Sequence, residues 1–195
     1  MAESDRIKWD ARYAAGPGRD SRPAPVLVAY AHLLPASGRA LDLACGRGAN
    51  ALFLAARGLE TTAWDVSSTV IAALNETAAR AGINLKAEQR DVLERPPPAR
   101  SFDVILVCRF LDRGLVPALI SALRPQGLIF YQTFLREAVS PDGPRNPDYR
   151  LESNELLRLF APLHVLAYHE EGLVGDLAQG RRNEAMLVAQ KRGGD

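Results

Sequence analysis

The chain has 195 residues, 47% of them apolar, enough for one globular unit that buries roughly 70% of its unfolded surface without staples. Its 24 basic and 23 acidic side chains nearly cancel, so no broad positive field exists to hold a phosphate backbone, and nucleic acid is not expected as a partner. MAESDRIKWD lacks an apolar leader core and no run reaches the about eighteen apolar residues of a membrane span, so a soluble cytoplasmic protein is expected.

Residues 1–23 read as an N-terminal cap and joint: a short helix carrying Trp9 and Tyr13, then the Gly/Pro-rich AGPGRDSRP. Residues 24–195 read as a single domain. It opens with a buried helix from Ala24 to Leu34, ended by Pro35 and Gly38. RALDLA is a short buried strand, ANALFLAARG a helix stopped by Gly58, and ETTAWDV a second strand. SSTVIAALNETAARAG is a helix with serine at its start and Gly82 at its end.

LKAEQRDVL is a weaker strand, followed by the proline loop ERPPPARS. FDVILVCRF is the most apolar strand, LVPALISALRP a helix closed by Pro125 and Gly127, and LIFYQTF the next strand. REAVSPDGPRNPDYR has no periodicity and many breakers, as in a lid or binding loop. ESNELLRLFAP is a helix, and HVLAYHEE and EAMLVAQK are two strands with no helix between them, able to pair as an antiparallel hairpin at the sheet edge. Apolar strands alternating with helices define a doubly wound α/β fold with a mostly parallel sheet, which binds ligands beyond the carboxyl ends of its strands.

Three aspartates end successive strands there. Gly46 and Gly48 let the turn after the first strand approach a ligand closely. Asp65 ends the second strand, where a carboxylate can accept from ribose hydroxyls. Asp42 lies below the turn, and Asp91 ends the third strand, where it can accept from an adenine amino group while Val92 packs on the ring. Each aspartate also reads as an ordinary cap at a strand end. The two cysteines, Cys45 and Cys108, lack metal-ligand spacing, so reduced thiols and no metal are expected. His32, His164 and His169 read as packing residues.

The ordered runs DLACGRG, WDVSS, RDVL and SFDVILVCRFL resemble the motifs of class I S-adenosylmethionine-dependent methyltransferases, over roughly residues 38–135. LDLACGRGANALFLAARG, WDVS and the leading W-D-x-R-Y look most like the small tellurite-resistance and thiopurine type. The resemblance implies a seven-stranded Rossmann-like sheet of order 3-2-1-4-5-7-6 with helices on both faces and the cofactor over strands one, two and four. It implies S-adenosyl-L-methionine contacts from Trp9, Tyr13, Asp42, Ala44, Gly46, Gly48 and Asn50, and from Asp65, Val66, Asp91, Val92, Cys108 and Phe110. Ala44 departs from the glycine usual in the family, and its methyl narrows the space beside the methionine moiety.

The expected activity is in-line methyl transfer to a small-molecule acceptor, by a monomer or homodimer, with no general base required for soft acceptors. Position makes Arg109 and Tyr131 the catalytic candidates. Arg109, Gln132, Arg145, Asn146 and Tyr149 are the candidate substrate contacts. Two other readings stay open: a catalytically silent binding protein of the same fold, and an NAD(P)-dependent oxidoreductase suggested by the loose G-x-G-x-x-A run. The second lacks the G-x-x-x-G-x-G turn and Y-x-x-x-K pair of short-chain dehydrogenases.

Overall fold

Every residue of RALDL after the arginine is buried, and this strand, β1 (Arg39–Leu43), lies near the middle of the sheet. A computed structural model of the chain describes residues 3–14 and 22–193. The other strands are β2 (Glu60–Asp65), β3 (Leu85–Gln89), β4 (Phe102–Cys108), β5 (Leu123–Phe134), β6 (His164–His169) and β7 (Glu184–Gln190). They form one sheet in the order β3-β2-β1-β4-β5-β7-β6. The first five run parallel, while β7 is antiparallel to β5 and to β6. The expected order and edge hairpin are both present.

Helices α1 (Glu3–Ala14), α2 (Pro25–Ala29), α3 (Ala49–Ala55), α4 (Ser68–Ala81), α5 (Val116–Ala122) and α6 (Glu155–Leu159) cover the sheet. Alternation along β4 shows how. Ile105 and Val107 pack with Leu119 of α5 and Leu156 of α6, whereas Val104 and Leu106 pack with Val26 and Leu27 of α2 and Leu54 of α3. A fully buried aliphatic side chain of this kind is worth about 1.5–3 kcal/mol, so a strand with apolar residues on both faces is held centrally. Ser67 caps α4 by accepting the Val70 amide, and Gly82 ends it in the left-handed region at φ 61°.

Several boundaries differ from the sequence reading. The second helix stops at Ala29 and gives way to a 3-10 turn over Ala31–Leu33. β3 ends at Gln89: the Arg90 amide makes the last ladder bond, to the Asp65 carbonyl at 2.8 Å, and Asp91 then accepts the Leu93 amide in a turn. α5 ends at Ala122 rather than near Pro125: the residue before a proline favours extended backbone, and Leu123 already pairs with Phe102. α6 is a short helix that begins only after Asn154. Residues 15–21 of the N-terminal joint lie outside the described residues.

The parallel strands β1, β2 and β4 deliver their carboxyl ends to one rim of the sheet. Chain order reverses between β1 and β4, and the crevice at this switch point is where such sheets hold ligands. Among the described residues no helix is long and apolar enough to cross a membrane.

Candidate functional site

The turn after β1 is built from left-handed residues: Ala44 at φ 56°, Gly46 at φ 51° and Gly48 at φ 78°. A Cβ on Gly48 would stand 2.4 Å from the Leu74 side chain, so this glycine lets α4 pack against the turn. A Cβ on Gly46 would stand 3.0 Å from the Tyr13 hydroxyl, so α1 lies directly over the turn. Ala44 takes the same backbone region with a Cβ, a conformation costly for an L-residue.

Asp65, at the end of β2, binds both sides of the crevice. One carboxylate oxygen accepts the Gly46 amide at 2.9 Å and the other accepts the Ser67 amide at 2.9 Å. Burial raises its pKa against the pull of the Ser67 and Gly46 amides. Asp42, on β1, is 1% exposed, and neither of its carboxyl oxygens has a hydrogen-bond partner. Burial pushes its carboxyl up to about 8; the Ala51 amide opposes this without reaching hydrogen-bond geometry, and the neighbouring Asp65 carboxylate adds to it. Burial and then these two aspartates also raise the Cys45 thiol, which makes it a poor nucleophile.

A buried carboxyl is costly unless a hydrogen-bond donor or a cation lies beside it. S-adenosylmethionine carries both an ammonium and a sulfonium, and hydroxyl donors on its ribose, so the residues present fit it. Among the described residues no His/Cys/Asp/Glu cluster could hold a metal.

The remaining sequence candidates divide. Trp9 and Tyr13 stack at 5.7 Å on α1, above the crevice. Cys108 and Phe110 flank the carboxyl end of β4, and Phe110 packs against the main core. Val66 is half-buried and its carbonyl accepts from Gln89. Asp91 stands just beyond β3, and its carboxylate accepts the Leu93 amide, the capping role. Val92 is buried in the core beside Trp64. Asn50 accepts the Ala24 amide at 2.6 Å, which fastens the start of α2 to the turn.

Beyond the carboxyl ends of β4 and β5, three of the candidates have partners within the protein. Arg109 pairs with Glu184 at 2.8 Å, so its charge is already matched. Gln132 is buried, donating to Glu184 and accepting the Val26 amide, and so serves as a brace between β5, β7 and α2. Tyr131 donates its hydroxyl to the Phe110 carbonyl and packs on Phe160; burial drives its phenol upward, and it is a core residue. Arg145, Asn146 and Tyr149 are exposed, and Asn146 spends its side chain on the Asp148 amide.

The sequence reading missed the groups that shape this side. Arg113, just after β4, pairs with Glu155 at 2.5 Å and donates to the carbonyls of Asp148 and Arg150. Burial raises Glu155, but the Arg113 hydrogen bonds and the Glu152 amide together bring its carboxyl below the usual range. Arg150 donates to the carbonyls of Leu135, Asp142 and Pro144, closing the loop 136–150 on itself. Arg182 does the same for the loop before β7, through the carbonyls of Glu171, Gly172, Val174, Asp176 and Gln179. Asn183 joins the two loops by accepting the Val139 amide. No local sequence signal announces these contacts.

Residues 40–127 match the family model described as a methyltransferase domain. The "Probable S-adenosyl-L-methionine-dependent methyltransferase TehB" of Haemophilus influenzae is 28% identical over 151 residues, which cover 74% of this chain and 52% of that protein. The chain thus spans about half the length of the curated relatives it matches first. The crystal structure of TehB from Haemophilus influenzae superposes with a TM-score of 0.68 at 23% identity, covering 86% of this chain and 61% of that one. Geranyl diphosphate C-methyltransferase from Streptomyces coelicolor, solved with S-adenosyl-L-homocysteine, superposes with a TM-score of 0.72 at 14% identity over 98% of this chain and all of that one. Strand order, the matched methyltransferase domain and the similarity to S-adenosyl-L-methionine-dependent methyltransferases agree with one another. TehB is similar to this chain both in sequence and in fold.

Proposed function

We propose that this domain transfers the methyl group of S-adenosylmethionine to a small-molecule acceptor by in-line displacement. The observation that carries the reading is Asp42, buried without a partner beside Asp65 at the switch point of the sheet. The cofactor, when bound, supplies an electrophilic methyl with its leaving group already in place. Asp65 would accept from the ribose hydroxyls through lone pairs its two amide bonds leave unused. Asp42 would lie near the cofactor's positive charge, which would favour its ionised form. Asp91 and Val66 border the adenine end. Cys108 and Phe110 wall the crevice where the acceptor approaches.

What these residues contribute is alignment and exclusion of water rather than proton transfer. Tyr131 is committed to a carbonyl, and Arg109 to Glu184, so neither acts as a base. Acceptors that attack without losing a proton, such as thiolates and soft anions, suit a site of this kind. The test is calorimetric titration with S-adenosylmethionine and S-adenosylhomocysteine, followed by a labelled-methyl screen of thiols, phenols and selenium or tellurium oxyanions. Binding of both with transfer to at least one small acceptor is expected. Binding without transfer to any of them defeats the proposal.

A further inference from the structure

Helix α1 is attached to the rest of the chain in an unusual way. From Arg6 onward none of its side chains is buried, and Ile7 is 57% exposed. A cavity of about 170 Å3 remains where Tyr13 and Arg47 meet the face of α4 formed by Thr69, Ala73 and Thr77. Little hydrophobic burial therefore holds α1 down. Polar contacts do so instead, and they reach both sides of the crevice.

On the β2 side, one Asp10 oxygen accepts the Ser67 hydroxyl at 2.5 Å and the Thr69 amide at 3.4 Å, while Arg6 holds the other at 3.0 Å. On the β1 side, Arg47 donates to the Tyr13 carbonyl at 2.7 Å, and the Tyr13 hydroxyl covers Gly46. Ser67 and Gly46 are also the two residues whose amides Asp65 accepts. The helix thus spans the mouth of the crevice above Asp65 and leaves that carboxylate 6% exposed. A ligand that is to reach Asp65 from solvent meets α1 first.

We propose that α1 is a gate latched by Asp10, and that its release from Ser67 and Thr69 precedes entry and exit of the cofactor. The inference rests on the crevice at Asp65 being the cofactor site. Ser67 makes the latch responsive to that site, since its amide serves Asp65 while its hydroxyl serves Asp10. Losing Asp10 unfastens one side of the helix without touching a group that faces the ligand.

The experiment is stopped-flow binding of S-adenosylhomocysteine to the intact chain, read by the intrinsic fluorescence of Trp9 and Trp64, in wild type and in Asp10→Ala. A gate gives a wild-type rate that levels off with ligand concentration, and a plateau about tenfold higher in the variant, the loss of a charge-assisted hydrogen bond. Hydrogen exchange of residues 3–14 is correspondingly faster in Asp10→Ala, with the melting temperature nearly unchanged. Rates linear in concentration and equal in both proteins overturn the gate. Absence of binding heat for wild type overturns the crevice assignment itself, and is told apart from the first failure by calorimetry.

Discussion

The Asp65 carboxylate accepts the Gly46 amide at 2.9 Å, so the end of β2 and the glycine turn after β1 hold one another in place. Both residues belong to the crevice, and the bond fixes its width before any ligand arrives. Removing it has two effects. Asp65→Ala loses a charged acceptor and is expected to weaken S-adenosylhomocysteine binding by about 1.5–3 kcal/mol. The Gly46 and Ser67 amides also lose their partner, so the melting temperature falls as well. Isothermal titration with thermal denaturation measures both, and unchanged affinity removes the ribose role.

Asp42 gives an effect of opposite signs on stability and binding. Its carboxyl stays protonated in the fold up to about 8, whereas in the unfolded chain it ionises near 3.8. Between these values the unfolded state has released a proton that the folded state keeps. The stability this group contributes is therefore complete below about pH 4 and is lost as the pH rises toward about 8. Asp42→Asn cannot ionise in either state. The variant should melt above wild type near neutral pH, lose that advantage toward pH 4, and bind S-adenosylmethionine more weakly. Melting curves across this pH range, with a titration at neutral pH, decide the point.

Ala44 occupies φ 56°, where a Cβ is strained. Ala44→Gly relieves that strain and should stabilise the chain by about 1 kcal/mol, or about 2–4 °C at this size. The Ala44 methyl packs against the main core, so affinity for S-adenosylhomocysteine should hold. Differential scanning calorimetry reads the first effect. A lower melting temperature contradicts it.

The Arg113–Glu155 pair anchors the loop 136–150. Glu155 is 8% exposed, and truncating its partner leaves a buried carboxylate unmatched. Arg113 itself is one-third exposed, which moderates the loss. Arg113→Met should cost about 2 kcal/mol and expose the loop to trypsin at Arg145, with S-adenosylhomocysteine affinity retained. Because the pair lowers the Glu155 carboxyl, its stabilisation is present above the usual glutamate range and disappears as the pH falls through the folded value. Wild type and variant should converge in acid.

The glycine-turn side of the crevice was legible because its elements are local. LDLACGRG and WDVSS each place an aspartate at the end of an apolar run, and strand alternation with a glycine turn suffices to locate Asp42, Asp65 and Gly46. The side beyond β4 and β5 depends on pairing across distance. Arg109 meets Glu184 across 75 positions, because β7 inserts between β5 and β6 and starts beside the end of β5. The same insertion commits Gln132. Strand parity then sends its neighbour Tyr131 to the opposite face, into the core with Phe160. The end of α5 lies earlier than Pro125 because the proline keeps Arg124 extended and Leu123 already pairs with Phe102 of β4.

The two long loops beside the crevice have little regular structure, yet Arg150 and Arg182 supply the order that helices or strands would. Each guanidinium grips main-chain oxygens, which every residue type possesses. The side chains along those loops are thereby released from any duty in holding the loop's shape. A lineage could rewrite them while the glycine turn and the strand-end aspartates stayed as they are.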